Sequence, residues 1–122
     1  DLLETKSNQG IVSIAQSATV AAAVDLLKEH DYSQVPVVDG DSVLGILTEK
    51  SLLHHAIKAS AAQETIQDLV DINFCVVHLD TELYVLLELF SRFETALVYN
   101  GKVPTGIITR IDLIEYMART KK

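Results

Sequence analysis

The chain has 122 residues, a formal net charge of −7 and 48% hydrophobic residues. One shared core is therefore feasible, whereas each half alone is small for an independent domain. The ten Lys and Arg residues form no basic stripe, which argues against nucleic acid and membrane surfaces as partners. Apolar runs are only strand-length and the N-terminus lacks a leader pattern, so we expect a soluble, cytoplasmic protein.

The first quarter of the chain predicts a tail, a short strand and a helix. Residues 1–10 are polar and show no period, so we expect a linker or an N-terminal tail there. A brief β-prone run follows from Ile11 to Ile14. Apolar residues at helical spacing, preceded by the cap oxygens of Ser17 and Thr19, predict a helix from about Thr19 to Glu29.

A hairpin and a second helix complete the first half. Two apolar runs, Val35 to Val38 and Val43 to Leu47, flank Asp39-Gly40, a dipeptide that accepts positive φ in a tight turn. A helix is predicted from about Glu49 to Lys58. Residues 60–73 then form a connector of small and polar residues, with room for only a turn or two of helix.

The same order of elements recurs in the second half. The pattern at Gly106 to Asp112, an apolar strand that passes through glycine into Thr-x-x-Asp at the start of a helix, is paralleled at Gly45 to Ser51. The chain is thus a tandem repeat with the unit β-α-β-β-α. The second copy predicts strands at Cys75 to His78, Ala96 to Tyr99 and Val103 to Thr109, and helices at about Glu82 to Arg92 and Arg110 to Thr120.

This repeated pattern resembles a tandem pair of CBS domains, the Bateman module. Tyr32 to Asp39 and Gly106 to Tyr116 are most similar to the C-terminal regulatory module of bacterial cystathionine beta-synthases. The resemblance implies an α/β (α+β) fold with two pseudo-twofold-related β-α-β-β-α repeats packed sheet to sheet and a short extra helix in the connector. The repeats would occupy residues 11–59 and 74–122.

The resemblance also implies two clefts for adenosine-containing ligands, each built from both repeats. Asp112 would accept hydrogen bonds from the two ribose hydroxyls, and Thr109 lies beside it. Thr-x-x-Asp is equally close to an ordinary capping box, and the two roles are compatible. The residues expected at this ligand-binding cleft are Ile11, Val12, Ser13, Tyr32, Gln34, Val35, Thr109, Arg110, Ile111 and Asp112.

The twin cleft departs from the family pattern, because Ser51 stands where an acidic residue would hold ribose. Its expected residues are Thr48, Ser51, Val76, Val77, Phe93, Thr95 and Ala96.

Charge bears on the identity of the ligand. A polyphosphate needs several cations, and the candidates are Arg110, Lys50 and one of His30 and His78. That set is small in an acidic chain, so S-adenosylmethionine, which carries a sulfonium, ranks first and AMP or ATP second.

Other reactive side chains have simpler interpretations. His54 and His55 are adjacent on a helix, cannot chelate one metal from one face, and are expected on the solvated surface. Cys75 is expected to be an inert buried thiol. Without a phosphate loop or a nucleophile elbow, we expect no enzyme activity, metal or resident cofactor in this chain.

The resulting hypothesis is a homodimeric regulatory module. Its adenosyl ligand would allosterically control an attached catalytic domain, with a pyridoxal-phosphate-dependent cystathionine beta-synthase as the parent protein that the resemblance implies. Two alternatives stay open. One is an AMP- or ATP-sensing pair attached to another enzyme or a transporter. The other is a purely structural dimerisation module with blocked clefts.

Overall fold

The computed structural model describes residues 2–56 and 64–120, without the side chains of Ala56 and Thr120. Residues 57–63, which include the predicted end of the second helix and the start of the connector, lie outside the described part. In chain order the elements are α1 Leu2–Asn8, β1 Ile14–Ala15, α2 Val20–His30, β2 Gln34–Asp39, β3 Ser42–Thr48, α3 Glu49–Ala56, a 3₁₀ turn at Ile66–Leu69, β4 Cys75–His78, α4 Leu83–Phe90, β5 Thr95–Asn100, β6 Val103–Thr109 and α5 Arg110–Thr120.

The chain divides into two compact units. The first-repeat unit runs from Val12 to Ile72, and the second-repeat unit combines residues 1–11 with residues 73–122. The N-terminal segment therefore belongs to the unit of the second repeat, not to that of the first. The predicted bounds of the repeats and the connector remain predictions.

Each unit contains a three-stranded sheet with the same topology. The strand orders are β1-β2-β3 and β4-β5-β6, and in each sheet a parallel pair is followed by an antiparallel hairpin. Gly40 and Gly101 follow the first hairpin strand with φ of 62° and 65°, the positive φ that such two-residue turns need. The predicted α/β fold of two β-α-β-β-α repeats is confirmed.

Each sheet packs against helices of its own unit. In the first-repeat unit, apolar residues of α2, β2, β3 and α3 form one core together with Ile66 of the 3₁₀ turn. In the second-repeat unit, the core combines residues of β4, β5, β6, α4 and α5 with Leu3 of α1. Burial along the strands is not strictly alternating, since β2, β3 and β5 each contain three or four consecutive buried residues.

Helix α1 differs from the unstructured tail that we expected at residues 1–10. Leu3 is only 2% exposed and lies in the core of the second-repeat unit. The Ser7 hydroxyl lies 2.6 Å from the Thr105 hydroxyl on β6. Burial of a leucine side chain stabilises by about 1.5–3 kcal/mol, enough to hold a short helix that would be marginal in water.

Two equivalent glycines let a backbone segment lie against each sheet. A Cβ added at Gly106 would come within 2.6 Å of the Lys6 carbonyl oxygen, and one added at Gly45 would meet the Asp71 carbonyl oxygen at 2.6 Å. At the second position, Ile46 and Asp71 also exchange two backbone hydrogen bonds of 2.8 Å. Glycine is thus required at both positions by close backbone approach.

The connector contains the short extra helix that was predicted, a 3₁₀ turn from Ile66 to Leu69. The connector also comes close to His55, which we expected on the solvated surface and which is instead buried. His55 is only 8% exposed, with Nε2 2.9 Å from Oε2 of Glu64 in an approach that lacks hydrogen-bond geometry. His54 is exposed, as expected. Glu64 of the connector is thus one of the residues beside the buried ring of His55.

Candidate functional site

The Thr109–Asp112 step joins the end of β6 to the first turn of α5. Oδ2 of Asp112 accepts a hydrogen bond of 2.9 Å from the Thr109 backbone N–H and one of 3.1 Å from the Thr109 hydroxyl. The carboxylate therefore performs the capping role that the sequence pattern indicated. Both bonds use the same oxygen. Within the part of the chain that the structure describes, Oδ1 of Asp112 accepts no hydrogen bond, and the side chain is 26% exposed.

Lys6 contacts the same carboxylate from helix α1. Its Nζ lies 3.3 Å from Oδ2 of Asp112, and its side chain is only 19% exposed. Sequence reasoning missed this residue because it lies in the segment expected to be a tail. One signal in the sequence could have indicated this helix. The apolar residue Leu3 lies shortly before the first repeat, just as Ile66, which is buried, lies shortly before the second.

A groove between α1 and α5 contains this ion pair. It has a volume of about 360 Å³, within the usual range for small-molecule sites. One face of each helix contributes, since the lining residues are spaced by three and four positions. They are Leu2, Thr5, Lys6, Gln9, Asp112, Glu115, Tyr116 and Arg119.

Arg110, expected near a ligand phosphate, is largely engaged within its own unit. Its Nε donates a hydrogen bond of 2.9 Å to the Phe90 carbonyl oxygen at the end of α4, and an Nη lies 4.0 Å from a Glu94 carboxylate oxygen. Ile111, the next residue, is exposed. Arg110 thus anchors α5 to α4.

The twin step occupies the corresponding position between β3 and α3, but it has different hydrogen bonds and no carboxylate. The Ser51 backbone N–H donates to the Thr48 hydroxyl at 3.1 Å, and the two hydroxyl oxygens lie 3.1 Å apart. The Thr48 hydroxyl thus caps the start of α3, and the Ser51 hydroxyl is hydrogen-bonded to it. The two steps differ in chemistry: Asp112 offers a charged acceptor with an open oxygen, whereas Ser51 offers a hydroxyl bonded to its neighbour.

The other residues expected at the first cleft have varied environments. Ile11 belongs to the second-repeat unit and is partly buried, while Val12, Ser13, Tyr32, Gln34 and Val35 belong to the first-repeat unit. Val35 is completely buried in the core of its unit. Tyr32 is half-exposed and stacks on His30 with ring centroids 5.2 Å apart. Their part in ligand binding stays a prediction.

The apolar residues expected at the twin cleft are mostly core residues. Val77, Thr95 and Ala96 are buried, Phe93 is partly buried and Val76 is exposed. Of these, Val76 presents the most side-chain surface, and the assignment of all five to a cleft stays a prediction.

Cys75 is partly buried on β4. Its Sγ lies 3.8 Å from the Thr95 carbonyl oxygen, and burial raises the pKa of its thiol. A raised pKa keeps the thiol protonated and weakens it as a nucleophile. Among the described residues, no group of three or more His, Cys, Asp or Glu is placed to hold a metal ion. None of the described helices combines the length and apolar character needed to cross a membrane.

Comparison with known proteins gives the family. The sequence pattern of the CBS domain matches residues 7–58 and 66–119. Cystathionine beta-synthase of Dictyostelium discoideum is 29% identical over 118 residues, which cover 91% of this chain and 24% of that protein. The Saccharomyces cerevisiae cystathionine beta-synthase is 26% identical over 131 residues, covering 88% of this chain and 26% of that protein. The chain spans about a quarter of the length of these two relatives.

Solved structures share the fold. A Burkholderia ambifaria protein with CBS domains has a TM-score of 0.83 and 21% identity, covering 99% of this chain and 93% of that chain. CBSX2 in complex with AMP has a TM-score of 0.76 and 21% identity, covering 99% and 98%. The CBS domain of a bacterial CNNM/CorC family Mg²⁺ transporter in complex with ATP has a TM-score of 0.75 and 26% identity, covering 88% and 79%. With one match in each half, this chain belongs to the CBS domain family, as a tandem pair of CBS domains.

Proposed function

We propose that this chain is a regulatory module that binds an adenine nucleotide, AMP or ATP, through Thr109 and Asp112. The observation that carries the proposal is the open Oδ1 of Asp112, beside an Oδ2 that already serves the helix cap. A carboxylate oxygen with free lone pairs is a suitable acceptor for ribose hydroxyls. The AMP and ATP complexes of structurally similar CBS proteins support this ligand class.

The distribution of charge supports a nucleotide at this unit. The second-repeat unit has seven Lys and Arg against eight Asp and Glu, a net charge of −1, whereas the first-repeat unit has three against nine, a net charge of −6. The acidity that argued against phosphate ligands therefore belongs mainly to the first-repeat unit, whereas Asp112 belongs to the second. An anionic ligand at the second-repeat unit meets little long-range repulsion from the charges of that unit itself.

S-adenosylmethionine is the second candidate. The match to two cystathionine beta-synthases favours it, together with the resemblance to the regulatory module of that enzyme. It would use the same ribose anchor, but its sulfonium gains nothing from a neighbouring lysine. We rank it below the nucleotides for that reason.

CBS domain modules are regulatory rather than catalytic, so ligand occupancy would act on an attached catalytic domain. The ligand would favour one conformation of the module and thereby shift the equilibrium of its partner. A cystathionine beta-synthase is the parent protein that the curated relatives favour.

Homodimer formation is a further part of this proposal. Helix α4 is apolar on all sides apart from Glu88, and such a helix is normally buried. Tyr84 and Leu87 on α4 and Ile114 on α5 are nevertheless exposed. A second copy of the chain would cover them. Sedimentation equilibrium should show a dimer that Leu87→Glu dissociates and Lys102→Glu, in the β5–β6 turn, leaves intact; a monomeric wild type would contradict dimerisation.

Isothermal titration calorimetry with AMP, ATP and S-adenosylmethionine tests the ligand assignment. The matched variant is Asp112→Ser, which reproduces the Thr48–Ser51 cap and removes the carboxylate. We expect AMP or ATP to bind the wild type most tightly, and Asp112→Ser to weaken binding by about 10- to 100-fold, the loss typical of a charge-assisted hydrogen bond. Equal binding by the variant would refute the site, and preference for S-adenosylmethionine would refute the ranking.

A further inference from the structure

Lys6 is a cation brought to the candidate site by a segment outside the family match, which begins at residue 7. Three contacts fix the backbone that carries it. Leu3 is buried in the core of the unit. The Ser7 hydroxyl is hydrogen-bonded to the Thr105 hydroxyl, and the Lys6 carbonyl lies directly over Gly106. The Lys6 side chain therefore extends from a backbone position that is fixed against β6.

The ammonium is held by a contact that a ligand can replace. Oδ2 of Asp112 has three donors, the Thr109 N–H at 2.9 Å, the Thr109 hydroxyl at 3.1 Å and Lys6 Nζ at 3.3 Å. Lys6 is the most distant of the three, and the helix cap persists without it. A lysine has four rotatable side-chain bonds, so Nζ can turn to another anion while α1 stays in place.

Two cations line the groove between α1 and α5, and they differ in burial and in partner. Arg119, the other cation of the lining, donates from Nε to Glu115 at 3.1 Å on the same helix, with 77% of its side chain exposed. Lys6 is more buried, and its partner is Asp112 itself. Charge pairs are worth more where water is partly excluded.

We infer that Lys6 is a specificity-determining residue of the ligand site, where it pairs with the phosphate of a nucleotide whose ribose is bound by Asp112. The inference rests on the proposed function. A ribose bound at Asp112 brings its 5′ group into the neighbourhood of Nζ, because only the sugar separates the two. A phosphate there gains a cationic partner, an uncharged 5′ hydroxyl gains little, and a sulfonium is repelled.

Affinity ratios test this selectivity. Dissociation constants for AMP, adenosine and S-adenosylmethionine would be measured by calorimetry for the wild type, Lys6→Gln, Lys6→Arg and Lys102→Gln. The last variant removes the same charge from the same unit at an exposed turn. The ratio of the adenosine to the AMP constant cancels any effect of releasing Asp112, since both ligands carry the same ribose.

We expect Lys6→Gln to lower this ratio by about five- to 50-fold, the range of a partly solvated charge-assisted contact, and to improve the relative affinity for S-adenosylmethionine. Lys6→Arg and Lys102→Gln should keep the ratio within about twofold of the wild type. An unchanged ratio in Lys6→Gln, with AMP binding that still depends on Asp112, would overturn this inference alone. AMP binding that is absent, or indifferent to Asp112→Ser, would overturn the proposed function and this inference together.

Discussion

Replacing Gly106 with alanine should displace helix α1 from strand β6. The added Cβ would lie 2.6 Å from the Lys6 carbonyl oxygen, 2.8 Å from its carbonyl carbon and 3.1 Å from the Ser7 nitrogen. All three are backbone atoms, so no side-chain rotation relieves the overlap. The helix must retreat by about 0.8 Å before the closest pair reaches ordinary van der Waals contact.

The cost follows from what α1 contributes to the second-repeat unit. Burial of Leu3 is worth about 1.5–3 kcal/mol, and the hydrogen bond between Ser7 and Thr105 about 1 kcal/mol. The partly exposed pair of Lys6 and Asp112 adds less than about 1 kcal/mol. Because a shifted helix keeps part of these contacts, we expect Gly106→Ala to lower the free energy of unfolding by about 2–4 kcal/mol.

Urea denaturation followed by circular dichroism measures this loss, and hydrogen exchange of the α1 amides reports its location. Leu3→Ala is the companion variant, since it weakens α1 without touching β6 and should cost a similar 2–4 kcal/mol. Both variants should expose α1 to exchange. A Gly106→Ala protein as stable as the wild type, with α1 amides still protected, would refute the close contact on which the reasoning depends.

Two further predictions concern buried polar groups. His55→Ala should destabilise the protein by about 1–3 kcal/mol in thermal or urea unfolding, because it removes a buried ring beside Glu64. His54→Ala is the control and should change stability by less than about 0.5 kcal/mol, as is usual for surface sites. Equal effects of the two substitutions would contradict the burial of His55. The Cys75 thiol, whose pKa burial raises, should react with iodoacetamide more slowly in the folded protein than in urea at pH 8. Because folding raises this pKa, the thiol favours the folded state below its unfolded pKa near 9, and that contribution is lost as pH rises through the folded value. Equal alkylation rates would contradict the raised pKa.

Most of the fold was predictable because the two halves corroborate each other. The turns at Gly40 and Gly101 need positive φ, and the runs beside them are short and rich in apolar residues. The predicted bounds of β4, β6 and α5 coincide with those of the structure. Local sequence decides these elements, so a local argument finds them.

Features that depend on distant packing were not predictable in the same way. Helix α1 has one buried leucine and no repeating apolar pattern, so its helical state depends on Leu3 reaching a core built from residues 73–122. His55 is buried beside Glu64 of the connector, a contact that the local pattern of α3 does not indicate. Val35 is fully buried in the core of its unit, which its sequence context did not indicate, and its part in ligand binding stays a prediction.

The candidate site was predictable in part for the same reason. Thr109 and Asp112 are three residues apart, and their capping contact is local. Lys6 is more than one hundred positions away in sequence, and only the attachment of α1 to β6 brings it to the carboxylate. Its presence changes the ligand that we propose, because the sequence alone indicated few cations near Asp112.

The most direct test of the central claim is whether Asp112 binds the ribose hydroxyls. Calorimetry of AMP and 2′,3′-dideoxy-AMP, each with the wild type and with Asp112→Ser, forms a cycle in which protein and ligand are altered separately. We predict that the wild type prefers AMP by about 10- to 100-fold and that Asp112→Ser binds both ligands equally weakly. A variant that retains the full preference for AMP would contradict the claim, because the hydroxyls would then be recognised by another group.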